Sequence, residues 1–248
     1  MAAVMKILIL GATSAIVHET AKLFAAEGTH LVLVARNKEK LSAVASDLRI
    51  RGANQVEEYP LDLTRMELHQ NLIDTAHVNL QGIDTLLIGY GTLSNQETCQ
   101  ESTSETLKEF NTNCMSIISL LTIMGNYFES RRQGCIAVIT SVAGDRGRQS
   151  NYVYGAAKGA VTIFLQGLRN RLSRSGVSVI TIKPGFVDTP MTAHLPKNAL
   201  FANPEKVGQK IHHAIRSQKD IVYVPWFWTI VMAGVRLLPE RLFKRLSL

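Results

Sequence analysis

The chain has 248 residues, 46% of them hydrophobic and 19% charged, with a formal net charge of +7. That length suits one α/β domain, and that apolar content builds a sizeable core, which excludes an intrinsically disordered chain. The basic residues are scattered through helical stretches with no concentrated basic face, so nucleic-acid binding is not expected; an anionic cofactor and a solvated surface account for the charge.

The opening stretch MAAVMKILILGATSA has an apolar run too short for a secretory signal and ends in glycine, so it reads as a buried strand over residues 6–10. Short apolar runs recur at 31–35, 55–59, 85–88, 136–140, 178–183 and 221–224. Amphipathic stretches such as 18–27, 38–51 and 104–130 lie between them. Strands without polar alternation are buried on both faces. The expected fold is α/β: a single doubly wound parallel sheet of seven strands, a Rossmann fold, over residues 1–225. In such sheets ligands bind beyond the carboxyl ends of the strands.

The first such end reads GATSAIV. Gly11 opens a tight turn, and through Thr13, Ser14, Ala15 and Ile16 the backbone enters a helix whose free N–H groups can hold a pyrophosphate. Ala15 and Val17 stand where a full dinucleotide fingerprint has glycines, and Val17 brings a β-branched side chain to a place of close packing. Alone, the motif fits a plain strand–helix turn equally well. After the second strand, Arg36 with Lys38 and Lys40 occupies the place where NAD enzymes carry an acid. A guanidinium pairs bidentately with a 2′-phosphate and stacks on adenine, so NADP(H) is expected over NAD(H). The plainer reading is a solvated residue opening the next helix. Asp62 and Leu63, past the third strand, are placed to meet adenine, while Asp62 could equally cap the next helix. The fourth strand ends in DTLLIGYG, with Gly89 and Gly91 expected beside the cofactor.

Cys99, Cys114 and Cys135 form no Cys-x-x-Cys pair and have no histidine at ligand spacing. They read as reduced thiols of a cytoplasmic protein, with no metal site. The adjacent His212 and His213 diverge on a helix and are not expected to share a metal either.

In YVYGAAKGAV, Tyr154 and Lys158 are four residues apart and share a helical face, whereas Tyr152 has Ala156 at that offset and is expected on the substrate wall. An ammonium beside a phenol favours phenolate and lowers the phenol pKa.

In their order, Gly11, Arg36, DTLLIGYG, Asn113, ITSVAG, Tyr154 with Lys158, and PGFVDTPM resemble the short-chain dehydrogenase/reductase family over about residues 5–225. The resemblance implies NADP(H)-dependent interconversion of a ketone and a secondary alcohol, in the reductive direction. Tyr154 would exchange a proton with the carbonyl oxygen, Ser141 would hydrogen-bond that oxygen, and Lys158 would approach both phenol and nicotinamide ribose. Asn113 would hold a relay water. Pro184, Gly185, Val187 and Thr189 would meet the nicotinamide end, with residues 188–202 as a lid over substrate. Homodimers or homotetramers are implied too. IGYG replaces the family's usual Asn-Asn-Ala-Gly, which loses side-chain amides that brace the sheet. A non-catalytic NADP-binding redox sensor or regulator is the alternative.

Residues 226–248 form an apolar, then basic, extension. Residues 221–235 carry no charge, but this run is shorter than the roughly 20 residues that span a bilayer. Pro225 interrupts it, and Arg236, Arg241, Lys244 and Arg245 come after it. Two readings stay open. The tail packs against another subunit or its own active site, or it lies peripherally on the inner face of a membrane. The second suits a lipid-linked or hydrophobic substrate. The tail and AGDRGRQSNYVYGAAKGAV also resemble the family branch that reduces the 2-keto group of a decaprenylphosphoryl pentose. Asp145, Arg146 and Arg148 stand where basic groups would meet a substrate phosphate, or would form a local salt bridge.

Overall fold

The computed structural model describes residues 4–246. Seven strands form one parallel sheet: β1 (Lys6–Leu10), β2 (His30–Ala35), β3 (Gln55–Pro60), β4 (Thr85–Ile88), β5 (Gly134–Ile139), β6 (Val177–Pro184) and β7 (Ile221–Val224). Their order is β3-β2-β1-β4-β5-β6-β7. The chain order therefore reverses between β1 and β4, and the crevice for ligands opens there.

Alternation within each strand divides the core in two. Ile7 and Ile9 of β1 face helices α1 (Ala15–Ala26), α2 (Lys38–Ile50) and α8 (Pro204–Arg216). Leu8 and Leu10 face α3 (His69–Leu80), α6 (Ser116–Arg131) and α7 (Tyr152–Leu172). Two shorter helices, α4 (Gln96–Glu101) and α5 (Thr103–Phe110), precede α6, while α9 (Trp228–Leu237) and α10 (Glu240–Phe243) end the chain. No helix among the described residues is long and apolar enough to cross a membrane.

The strands lie within two residues of their predicted positions. Helix α1 starts three residues earlier than expected, at Ala15, behind an extended Ser14 whose side chain makes no capping bond. The helix expected over 104–130 is broken: α5 and α6 are joined by a π turn, Asn111–Met115. A widened turn costs backbone hydrogen-bond geometry, and it is found most often where it re-aims a side chain at a site. Here it carries Asn113.

Two departures from the expected nucleotide motif compensate each other. Val17 is fully buried on α1, and a Cβ added at Gly89, just past β4, would stand 2.1 Å from Val17 Cγ2. The close approach of helix to sheet survives because the missing glycine of the helix has a counterpart on the strand. Gly89→Ala should therefore destabilise the fold by about 1–3 kcal/mol, as overpacking does. Val17→Ala in the same chain should recover most of that loss, giving a coupling of about 1 kcal/mol or more in a double-mutant cycle by urea denaturation. Additive effects would mean that the two side chains do not interlock.

Candidate active site

Two adjoining cavities open at the carboxyl edge of the sheet. The first, of about 260 Å³, is lined by Gly11, Thr13, Ser14, Ala15, Ile16, Arg36, Asp62 and Leu63. The second, of about 160 Å³, is lined by Asn113, Ser141, Tyr154, Lys158, Pro184, Gly185 and Val187. Ser14, Ile16, Gly89, Gly91 and Thr189 line both, so the cavities are continuous. Every residue predicted from sequence to touch cofactor or substrate carbonyl lies on one wall or the other.

The first cavity has donors suited to a phosphorylated dinucleotide. Gly11 has φ +88°, and a Cβ there would stand 2.7 Å from Tyr90 Cβ, so only glycine makes this turn. No acidic side chain occupies the first turn of α1, whose N–H groups and partial positive charge are left for an anion. Arg36 adds a cation at the far end. Burial pushes the Asp62 carboxyl pKa upward, but the backbone N–H and hydroxyl of Thr64, aided by the Arg36 charge, outweigh it and hold the pKa low. Its Oδ1 accepts from Thr64 N at 3.0 Å and Thr64 Oγ1 at 2.8 Å, so Asp62 braces its own turn as well as facing the cavity.

In the second cavity, α7 brings Tyr154 and Lys158 to one face, with Nζ 5.7 Å from the phenol ring centroid. Ser141 ends β5 and opens a 3₁₀ turn, Val142–Asp145, its Oγ accepting from Ala143 N at 3.1 Å. That turn lies directly on the α7 backbone. A Cβ at Gly144 would stand 2.7 Å from Gly159 N, and one at Gly155 would stand 2.9 Å from Ala143 O.

Burial pushes the Tyr154 phenol pKa up to about 12, with the Glu109 charge adding to the rise and neighbouring Ser141 working against it. The expectation of a lowered phenol pKa is therefore corrected: desolvation dominates. Burial also brings Lys158 down to about 8, opposed by Glu109, and among the described residues its ammonium has no hydrogen-bonded partner. Glu109 was missed in the sequence, where a helical glutamate reads as solvent-facing. It is 1% exposed. It accepts from Thr92 Oγ1 at 2.8 Å, from Ser94 Oγ, and from Asn113 Nδ2 at 2.6 Å. With Thr92 N donating to Asn113 Oδ1 at 3.2 Å, the amide is held from both ends.

Tyr152 is corrected too. Two residues from Tyr154 it points the other way, is 44% exposed and is not on the cavity wall. The bracing lost with IGYG is taken over by Tyr90, whose hydroxyl meets Ser116 Oγ at 2.8 Å. Asp188 pairs with Lys197 at 2.8 Å, and Thr189 stands at the N-cap of the turn Pro190–Thr192. Residues 188–202 arch between Val187 and Ala202, which form a bridge, and Met191, Thr192 and Leu195 line the cavity.

A family model described as short chain dehydrogenase matches residues 5–200. The chain belongs to that family. It is 31% identical over 240 residues to an uncharacterized oxidoreductase of Mycobacterium tuberculosis, covering 97% of this chain and 96% of that one. An uncharacterized oxidoreductase of Streptomyces coelicolor is 31% identical over 241 residues, covering 97% and 95%. Among solved structures, a levodione reductase has a TM-score of 0.83 at 19% identity, covering 92% of this chain and 99% of that one. A second, titled a short chain dehydrogenase/reductase family protein, scores 0.78 at 24% identity, covering 88% and 94%. Those two likenesses show the fold. Family membership makes the protein an oxidoreductase that works with a nicotinamide cofactor.

In this short-chain dehydrogenase the tail folds back on its own chain. Trp228 and Met232 of α9 are buried against Val142, Phe186 and Tyr223, and a Cβ at Gly185 would stand 2.0 Å from Trp228 Nε1. Arg146 donates to the carbonyl oxygens of Val235 and Leu238, pairs with Glu240 at 2.9 Å, and stacks on Phe243 at 3.7 Å. Asp145 is buried with Lys183 and accepts from Tyr223 Oη at 2.6 Å. Cys99, Cys114 and Cys135 are free and buried.

Lys158 titrates near pH 8 in the folded chain and near the ordinary lysine value of 10.5 when unfolded. Between those values the unfolded chain holds the extra proton, so stability rises with pH, by about 3 kcal/mol in all. Tyr154 acts in the opposite sense above pH 10, because the folded phenol keeps its proton to about 12. Urea denaturation at stepped pH should show the rise between pH 8 and 10, and Lys158→Met should flatten it. An unaltered slope would mean a hydrated ammonium.

Proposed function

We propose that the protein is an NADP(H)-dependent reductase that converts a ketone to a secondary alcohol, with Tyr154 as proton donor. The observation that carries this reading is the partly buried Tyr154 phenol, its pKa raised by desolvation to about 12, on one cavity wall with Ser141 and Lys158. A phenol that keeps its proton at neutral pH is poised to donate, and an alkoxide is basic enough to take that proton. This favours the reductive direction.

Nicotinamide, when bound, supplies hydride to the carbonyl carbon. Tyr154 gives its hydroxyl proton to the carbonyl oxygen, while the Ser141 hydroxyl donates a hydrogen bond to that oxygen and stabilises the growing charge. Lys158, on the same face of α7, favours the phenolate left behind. Asn113, fixed by Glu109 and Thr92, keeps the turn beside Lys158 in place. Residues 188–202 cover the substrate, and Leu93, Phe186, Met191 and Leu195 on the cavity wall support a hydrophobic one. Arg36, on the cavity wall at the position where NAD enzymes carry an acid, supports NADP(H) over NAD(H).

We place the protein in a reducing, cytoplasmic setting, which its three free thiols support. A homodimer or homotetramer is our expected assembly. Trp226, Ile230, Leu237 and Leu242 of the tail, all more than half exposed, offer it an apolar face. The same face with Arg241, Lys244 and Arg245 would suit peripheral membrane contact.

Tyr154→Phe should lower ketone-dependent NADPH oxidation by at least about 1000-fold while NADPH still quenches protein fluorescence at an unchanged dissociation constant. Retained turnover removes Tyr154 from the mechanism. Arg36→Asp should cut the ratio of NADPH to NADH efficiency by about 100-fold, consistent with losing a bidentate pair and gaining repulsion. A constant ratio would mean that the 2′-phosphate lies elsewhere.

A further inference from the structure

Of the basic residues just beyond Ser141, the structure finds a partner for one and leaves another without. Arg146 is committed to the tail. Arg148 is not. Its Nε is sealed from solvent with no hydrogen-bond partner, and no ion pair among the described residues includes it. Burial alone holds its pKa below the ordinary arginine value, with no nearby anion opposing that shift. Arg148 as a whole is only partly buried, but a sealed N–H without an acceptor is costly, and native proteins seldom leave one so unless a ligand, ion or ordered water completes it.

Arg148 lies on the wall of the cavity that holds Ser141 and Tyr154. The charged side chains on that wall are Arg148 and Lys158, and none of its residues is acidic. The nearby carboxylates are taken: Asp145 by Lys183 and Tyr223, Glu109 by Thr92, Ser94 and Asn113, Asp188 by Lys197. Asn151, also on this wall, has a buried Oδ1 with no partner. Turned over, its amide would offer N–H groups to the same ligand.

We propose that Arg148 forms an anion subsite, so that the ketone reduced by this enzyme carries a carboxylate or phosphate group at the end of an apolar chain. The inference rests on the reductase reading and deepens it by naming the substrate class. A guanidinium fork takes either oxyanion bidentately. Tyr154 and Lys158 set where the carbonyl sits, Arg148 sets where the anionic end sits, and the apolar wall spans the distance between.

The test uses a series of keto acids of increasing chain length, each beside its methyl ester, and matched ketophosphonates beside their dimethyl esters, with NADPH as reductant. The acid-to-ester ratio of kcat/KM should exceed one for some chain length, and Arg148→Gln should lower that ratio about 10- to 100-fold, mainly through KM. Arg148→Lys should keep part of it. Whichever of carboxylate and phosphonate shows the larger drop identifies the anion. A ratio unmoved by Arg148→Gln across both series, with ketones still reduced, overturns the subsite and leaves the reductase reading intact. A second arm needs no turnover: inorganic phosphate titrated into the NADPH-saturated protein by calorimetry should bind in the wild type and not in Arg148→Gln. Phosphate binding that depends on Arg148, with no ketone reduced, upholds the subsite and overturns the reductase reading. Phosphate binding equal in both proteins places the anion elsewhere and overturns the subsite.

Discussion

The site depends on a backbone-to-backbone contact between Gly144 and the Gly155–Gly159 stretch of α7. With no Cβ at these positions, the turn after β5 rests on the helix at van der Waals distance, so Ser141 is positioned against Tyr154 and Lys158 by main chain alone. Side-chain rotamers adjust easily and backbones do not, which makes this arrangement stiff. The remainder of the turn is then fixed from the other side, where Asp145 is buried with Lys183 of β6 and Tyr223 of β7. Removing a partner from such a pair would leave an uncompensated buried charge, the costliest kind of deletion. Three strands and a helix thus share in placing a few atoms of one short loop.

Within this frame, charge is distributed unevenly. The acids near the site each serve a protein partner, and the cations Lys158 and Arg148 do not. Desolvation acts on the unpaired groups and favours their neutral forms, so the ammonium falls to about 8 and the phenol rises to about 12. The carboxylate of Glu109 counters this for Lys158 and adds to it for Tyr154, since it favours keeping protons on both. A cavity that is apolar, positive and ready to donate a proton results from which partners the acids chose.

The features legible in the sequence are the local ones. The strands were readable because continuous apolar runs can only be buried on both faces, and Tyr154 with Lys158 because four residues make one helical turn. The π turn at Asn113 was not, because a widened turn changes backbone spacing without changing composition. Val17 and Gly89 each looked like a loss when read alone. Their fit depends on the register that brings α1 over the end of β4, which no local pattern records. The amides lost with IGYG read as lost bracing, but the Tyr90 hydroxyl, at the alanine position of that motif, reaches Ser116 at the start of α6, a contact no local pattern records. Arg146 and Arg148 were indistinguishable in sequence, since the choice between them was made by Glu240 and Phe243 more than ninety residues later.

That choice ties the tail to the chemistry. Arg146 closes the carboxyl end of α9 by bonding its last carbonyl groups, the place where a helix leaves acceptors free and favours a cation. Trp228, near the other end of α9, covers Gly185, the residue just past β6. One short helix is therefore fastened both to the segment between Ser141 and Tyr154 and to the turn that leads into residues 188–202. Its inward side is shared with Val142 and Phe186, so α9 cannot shift without moving the wall on which Arg148 and the cavity's apolar residues stand. The apolar residues of this tail are thus a structural part of the substrate end.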